Sequence, residues 1–281
     1  MSQASLSSRT SRGRSPPPLL QDVELFSIRQ VNKLAHEQMR QVYHHLIPLE
    51  LLFRFGIDQT LTDSEGRPLF TFQTGVSSVE LALRHVWDAQ DPVLYLQLAD
   101  TPNNQIEVIL FIVNDPYSER FDIDVLPDGT PTYFGTLARN IEEEVRAMKA
   151  GLTPGQVRRG LGITRRLMPI LEQFVLGLHH DAFYIQPLAY HNAILFERLG
   201  FSYAMGLGRM EWIHKEFAPG GLLVRQLDNS TPFRRPGAEE SVRGRSWAIH
   251  DGIMVEPYGG IKMYKRVGVH SGIITFPDAL W

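Results

Sequence analysis

Residues 155–163 read GQVRRGLGI, and at Thr164 this basic glycine turn runs straight into a helical stripe of Leu167, Met168, Leu171, Phe174, Val175 and Leu178. A short apolar run follows at 182–186 (AFYIQ), then Pro187. A second predicted helix spans 190–199 and closes on Gly200-Phe201, where glycine suits a left-handed cap. Strand segments alternating with helices in this way predict an α/β fold, because the helices must cover the faces of a sheet. Upstream, 68–72, 93–98 (VLYLQL) and 106–113 (IEVILFIV) read as strands, the last two joined as a hairpin by TPNNQ. FDIDV at 121–125 alternates apolar and acidic residues and is predicted as a half-buried strand. Helices are predicted at 22–47, stopped by Pro48, and at 136–150. No repeat of fixed period occurs.

Three domain-level segments are expected. Residues 1–20 are rich in Ser, Arg and Pro without an acid and read as a disordered tail rather than a targeting peptide, since they lack an amphipathic stripe. Residues 21–215 form the main domain. From 216 the chain turns rich in Gly, Pro and Arg, which predicts a C-terminal β/loop extension packed on that domain. The 281 residues contain no Cys, which excludes disulfides, thiol nucleophiles and Cys-ligated zinc. The formal charge of -3 gives no global attraction to nucleic acid or anionic lipid, and no apolar run approaches the roughly 18 residues that cross a bilayer. A cytoplasmic protein without membrane or nucleic-acid partners is expected.

Glycines at 160 and 162 let backbone approach a ligand closely, and the amides of a helix start form an anion-binding concavity. Arg158 and Arg159 add guanidinium donors suited to phosphate oxygens. A pyrophosphate-bearing ligand fits this chemistry. The segment is neither a P-loop, lacking GK[ST], nor the dinucleotide fingerprint, lacking GxGxxG. By itself the pattern also suits an ordinary turn.

The stretch 157–203 resembles the GNAT superfamily of N-acetyltransferases, whose pyrophosphate loop [QR]xxGxG/A heads a helix and whose later helix ends in "YerlGF", here HNAILFERLGF at 191–201. The resemblance implies a mixed central sheet flanked by helices and splayed at a bulge, with acetyl-CoA or another acyl-CoA held in the splay. It further implies that Arg158, Arg159, Gly160, Leu161, Gly162 and Ile163 cradle the CoA pyrophosphate, and that FDIDVLP is the strand before the loop. The chain departs from the pattern in several places. Val157 stands at the loop's Gln/Arg position, Phe196 where many members carry a proton-donating Tyr, and Ala189 where Asn is common. Nearly thirty residues separate FDIDVLP from the loop, and Pro169 falls inside the helix.

With Phe196 unable to donate a proton, Tyr190 and Tyr203 are the nearest phenols in sequence, and Asp124 is the candidate base, with Asp122 and Glu107 beside it. Each also reads as an ordinary packing or solvated residue. The adjacent pairs His44-His45 and His179-His180 are poorly placed to chelate, so no metal site is expected. His250-Asp251 reads as a hydrogen-bonded pair at a turn, and the triplet at 142–144 as a solvated helix face. Basic and aromatic residues mingle in the C-terminal segment, but interspersed acids favour a structural extension over an RNA-binding one. The expected activity is acyl-CoA-dependent transfer to a small-molecule or peptide amine, with homodimerisation left open. The alternative is a non-catalytic CoA-binding protein of the same fold.

Overall fold

The computed structural model describes residues 24–133, 135 and 137–281, so the expected tail at 1–20 lies outside the described residues. The chain is a mixed α/β structure around a seven-stranded sheet. Its elements in order are α1 (Ile28–Val31), α2 (His36–His44), α3 (Leu49–Phe55), β1 (Phe70–Thr74), β2 (Ser78–Leu83), β3 (Leu94–Asp100), β4 (Ile106–Val113), α4 (Ile141–Lys149), α5 (Thr164–Gly177), β5 (Ala182–Ile185), α6 (Tyr190–Arg198), β6 (Ser202–Met205), α7 (Leu207–Glu216), α8 (Leu222–Arg225), α9 (Val242–His250) and β7 (Lys262–Arg266).

The sheet order is β1-β2-β3-β4-β5-β7-β6, antiparallel everywhere except between β4 and β5. A register shift lets Gln97 face Leu110 while Leu98 faces Val108, leaving Ile109 as a bulged residue on β4. The parallel pairing covers only Ile106, Val108 and the residue between them, opposite Phe183 to Ile185. β4 then runs on to Val113 after β5 has ended.

The α5 stripe is fully interior: Leu167, Met168, Leu171, Phe174, Val175 and Leu178 are all buried in the core that also holds β3, β4 and β5. Pro169 lies in the first two turns of α5 without ending it. The region predicted as one helix at 22–47 is two, interrupted at Asn32. The Asn32 side chain donates to the carbonyls of Gly75 and Ser78 and accepts from Tyr43, so tertiary hydrogen bonds displace the helical ones. Pro48 stops that region as expected and is also the cap of α3.

Two further expectations are corrected. FDIDV is not a strand; it makes a single bridge, Val125 with Pro131. The alternation is real, with Phe121 and Ile123 buried, but they pack against Ala147, Leu152, Phe233 and Trp247 in a second, smaller core. The strand that precedes the glycine loop in the sheet is β4. The segment after 216 is also more helical than its composition suggests. α9 is capped by the Ser241 hydroxyl, which accepts from Gly244 N at 3.0 Å, and it is buried nearly all round, so it shows no amphipathic stripe. The same segment supplies β7, inserted between β5 and β6.

Trp247 stacks on Phe233 at 5.2 Å and donates from Nε1 to the Leu152 carbonyl at 2.9 Å, tying α9 to the segment after α4. Trp247→Ala is expected to lower unfolding free energy by about 3–5 kcal/mol in urea titrations, whereas Trp212→Ala, at a partly exposed site, should cost less than about 1 kcal/mol.

Candidate functional site

The glycine loop sits where β4 ends. Asp115 N donates to the Arg159 carbonyl at 2.7 Å, Arg159 N donates to Ser118 Oγ at 3.2 Å, and Phe121 N donates to the Val157 carbonyl at 2.8 Å. The loop is thus laced to the chain leaving β4. A Cβ at Gly160 would lie 3.3 Å from the Val113 carbonyl, so glycine permits this close approach. Gly162 has φ +70°, a left-handed conformation that turns the chain into α5. Ile163 is the α5 cap and is buried, Leu161 is half-buried, and Arg159, Gly160 and Gly162 face solvent. The first amide of the helix to find an acceptor within it is that of Arg166, bound to the Ile163 carbonyl at 2.8 Å. The preceding amides are the ones a helix start leaves for other acceptors.

The two arginines of the loop have different roles. Arg158 turns inward, donating to Asp91 Oδ2 at 2.8 Å and to the Ser118 carbonyl at 2.5 Å. Arg120 binds the same Asp91 oxygen at 3.1 Å, together with Asp122 and, at 2.7 Å, Asp124. Arg158 therefore fixes the loop, while Arg159 stays on the surface. Arg165, in the first turn of α5, is exposed and has no ion-pair partner among the described residues. Arg166 pairs with Glu50 on α3.

The three candidate catalytic residues fall into two clusters. Asp124 belongs to the Arg120 network; its Oδ1 is buried with no partner among the described residues. Tyr190 and Tyr203 gather around Glu197 of α6. Tyr203 donates to Glu197 Oε1 at 2.5 Å, and Thr275 donates to Glu197 from its hydroxyl at 2.6 Å and its amide at 2.8 Å. Burial raises the Glu197 pKa against these donors. Burial and the Glu197 charge hold the Tyr203 phenol far above its ordinary value. Tyr190 is 1% exposed, and its hydroxyl has no partner at hydrogen-bond geometry among the described residues. Burial pushes it up to about 12, partly offset by the approaching Arg245 guanidinium. Glu107 faces Lys262 at 3.2 Å across the sheet.

Phe196 packs on Phe111 at 5.9 Å and on Phe201 at 5.2 Å. Phe111 lies beyond the bulge, on the part of β4 that β5 does not pair, so an aromatic pair spans the place where the two strands part.

Sequence reasoning missed a third buried cluster. Glu144 is interior rather than solvated, receiving Arg139 at 2.5 Å and His250 at 2.9 Å. His250 and Asp251 do not bond each other: Asp251 takes Arg139 at 2.9 Å and Arg234 at 2.9 Å. Nearby, His191 Nδ1 lies 2.8 Å from Ser246 Oγ. Glu197 and Glu144 stood in recognisable helices, but a local pattern carries no signal for the remote partners that make a carboxylate interior. No group of three or more His, Asp or Glu placed to hold a metal ion occurs among the described residues, and no helix there is long and apolar enough to cross a membrane. Comparison of the chain with protein-family models, with curated proteins and with solved structures finds no match.

Burial holds His191 at about 3, with the charge of His250 adding to the effect. The unfolded chain protonates this imidazole near 6.5, so the folded state binds fewer protons between about pH 3 and 6.5. Stability therefore falls as pH drops through that window, by up to about 1.4 kcal/mol per pH unit from this group. Denaturant titrations from pH 7 to 4 should show this loss in the wild type and a shallower one in His191→Gln.

Proposed function

We propose that the chain is an acyl-CoA-dependent N-acyltransferase with a GNAT-like arrangement. One observation carries the reading: a solvent-facing glycine loop at the head of α5 lies against the end of a bulged strand that outruns its parallel neighbour. The bulge at Ile109, the parting of β4 from β5 and the placement of the loop are the features that the resemblance implies. They support it together, where the loop alone would not.

In this reading the open amides of residues 160–165 and the Arg159 and Arg165 side chains hold the diphosphate, whose charge suits a helix start. Backbone groups of residues 109–113 lack a β5 partner and are free to pair with the amides of an extended pantetheine arm, as an added strand would. Phe111 and Phe196 offer an apolar wall at the parting. Acyl-CoA supplies the thioester carbon that an amine attacks. The new C–N bond forms as the C–S bond breaks, and the amine proton passes to the departing sulfur. The protein's contribution is orientation and a dry wall. The acceptor class in this reading is a small-molecule or peptide amine.

A second reading has a specific observation in its favour. Tyr190 is interior, Tyr203 is committed to Glu197, and Phe196 has no hydroxyl, so none of the three is a free phenol for the sulfur. That pattern suits a CoA-binding protein without turnover.

Calorimetry with CoA and acetyl-CoA is expected to give micromolar dissociation constants. Arg159→Ala should weaken them by about 10-fold or more through loss of a charge-assisted contact, with little change in melting temperature because Arg159 is exposed. Gly162→Val, which costs roughly 1–2 kcal/mol of backbone strain, should weaken both affinity and stability. A folded wild type that binds neither ligand sinks the acyl-CoA reading. Binding without thiol release across a panel of amines selects the second reading over the first.

A further inference from the structure

Beside the glycine loop lies a surface of three aromatic rings that the acyl-transfer reading does not use. Phe55, at the end of α3, His85, after β2, and Tyr117, after β4, contact one another pairwise: Phe55 and His85 at 6.0 Å and tilted by 56°, Phe55 and Tyr117 at 6.1 Å and tilted by 48°, and His85 edge-on to Tyr117 at 5.5 Å and 79°. Three separate parts of the chain thus meet at these rings. Tyr117 is 78% exposed, far more than a tyrosine placed for core packing.

Its position is nevertheless fixed. Asp115 Oδ1 accepts from Tyr117 N at 3.1 Å, and both flanking residues touch the glycine loop: Arg158 donates to the Pro116 and Ser118 carbonyls, and Ser118 Oγ accepts from Arg159 N. The segment that carries Tyr117 is therefore bonded directly to the glycine loop.

The charges around it are mostly basic or neutralised. Arg54 lies 6.0 Å over the Phe55 ring, Arg159 is exposed, Asp91 is matched by Arg120 and Arg158, and Glu50 by Arg166. Three acids also lie nearby: the exposed Asp88 in the His85 loop, the exposed Glu119, which pairs with Arg146, and Asp115, which has no ion-pair partner among the described residues. Desolvation, with Arg158's charge behind it, lowers the His85 pKa. The ring therefore presents a neutral aromatic face at pH 7.

We propose that the open face of Tyr117, braced by Phe55 and by the edge-on His85, is a stacking platform for a purine base, so that the ligand of the glycine loop is recognised at its nucleotide end as well as at its diphosphate. Flat aromatic faces stack on nucleobases whatever their edge pattern, and an arginine beside such a face adds attraction for the phosphates that accompany a base. The inference rests on the acyl-CoA reading and assigns the adenine of CoA to this platform.

Calorimetry with three probes separates the two claims: CoA, adenosine 3′,5′-bisphosphate, which has the base but no pantetheine, and 4′-phosphopantetheine, which has no base. Tyr117→Ala is expected to weaken CoA and the bisphosphate on the order of 10-fold, to leave phosphopantetheine unchanged, and to melt with the wild type. Tyr117→Trp should hold or improve the affinity, and Phe55→Ala should reproduce the loss. If the wild type binds CoA and Tyr117→Ala binds it equally well, the platform is rejected while the acyl-CoA reading stands. An equal loss for phosphopantetheine also rejects it, because the variant would then have disturbed the loop rather than a base contact. A wild type that binds no CoA overturns both.

Discussion

β5 stops after four residues, and much of the structure follows from that. Gln186 is followed by Pro187, which has no amide to donate, so the ladder with β4 loses a donor just past the end of β5. β4 continues to Val113 with one edge unmatched, and its bulge at Ile109 bends it at the point of departure. The residues along that edge are exposed or half-buried, so their backbone groups are open to solvent or to a ligand. Phe111 and Phe196 close part of the opening, and the glycine loop comes up against the last carbonyl of the strand. The opening, the loop and the start of α5 lie at one end of the parallel pair because parallel strands need a crossover, and the crossover returns to the sheet at its other end.

That crossover is long, and buried charge organises it. Asp91, before β3, receives both Arg120 and Arg158, which anchors the start of the crossover and the glycine loop to one carboxylate. Desolvating such groups is expensive, and a well-packed apolar substitute would often be no less stable. What the network contributes instead is register. Arg158 is turned away from solvent and cannot also serve a ligand, which leaves Arg159 as the loop's outward cation. Adjacent arginines in the sequence thus divide into one that shapes the loop and one that faces what the loop meets.

The legible parts of the chain were those decided locally. The α5 stripe, the Gly200 cap with φ +85°, and the hairpin of β3 and β4 depend on period and turn chemistry, and all three stand in the structure. The failures share a cause. FDIDV has a strand's alternation, but its partners are the second core on one side and Arg120 on the other, and no sheet edge is there to take it. β2 was missed because SVELAL suits a helix as well as a strand, and only β1 and β3 decide between them. α9 reads as strand and loop in the sequence because its Gly and Ser are poor helix formers, a preference that burial on nearly all sides overrides. The position of the glycine loop at the head of α5 is legible in the sequence. The fates of Tyr190, Tyr203 and Asp124 are not, because each is set by a partner remote in sequence or in another element.

The same remoteness explains how the second half of the chain bears on the site without lining it. Arg139 and Glu144 reach Asp251 and His250, and Trp247 reaches the Leu152 carbonyl, so α9 is bonded to both ends of α4. α4 leads through Thr153 and Gln156, which cap their own turn, into the glycine loop. β7, beyond α9, is held between β5 and β6. A load path therefore runs from the middle of the sheet through α9 and α4 to the loop, and returns to β4 through Asp115. Because it closes on itself, the loop's open amides are positioned by elements on both sides rather than by α5 alone. Amides positioned this way are organised by the fold itself, and in the acyl-CoA reading that lowers the ordering cost of binding.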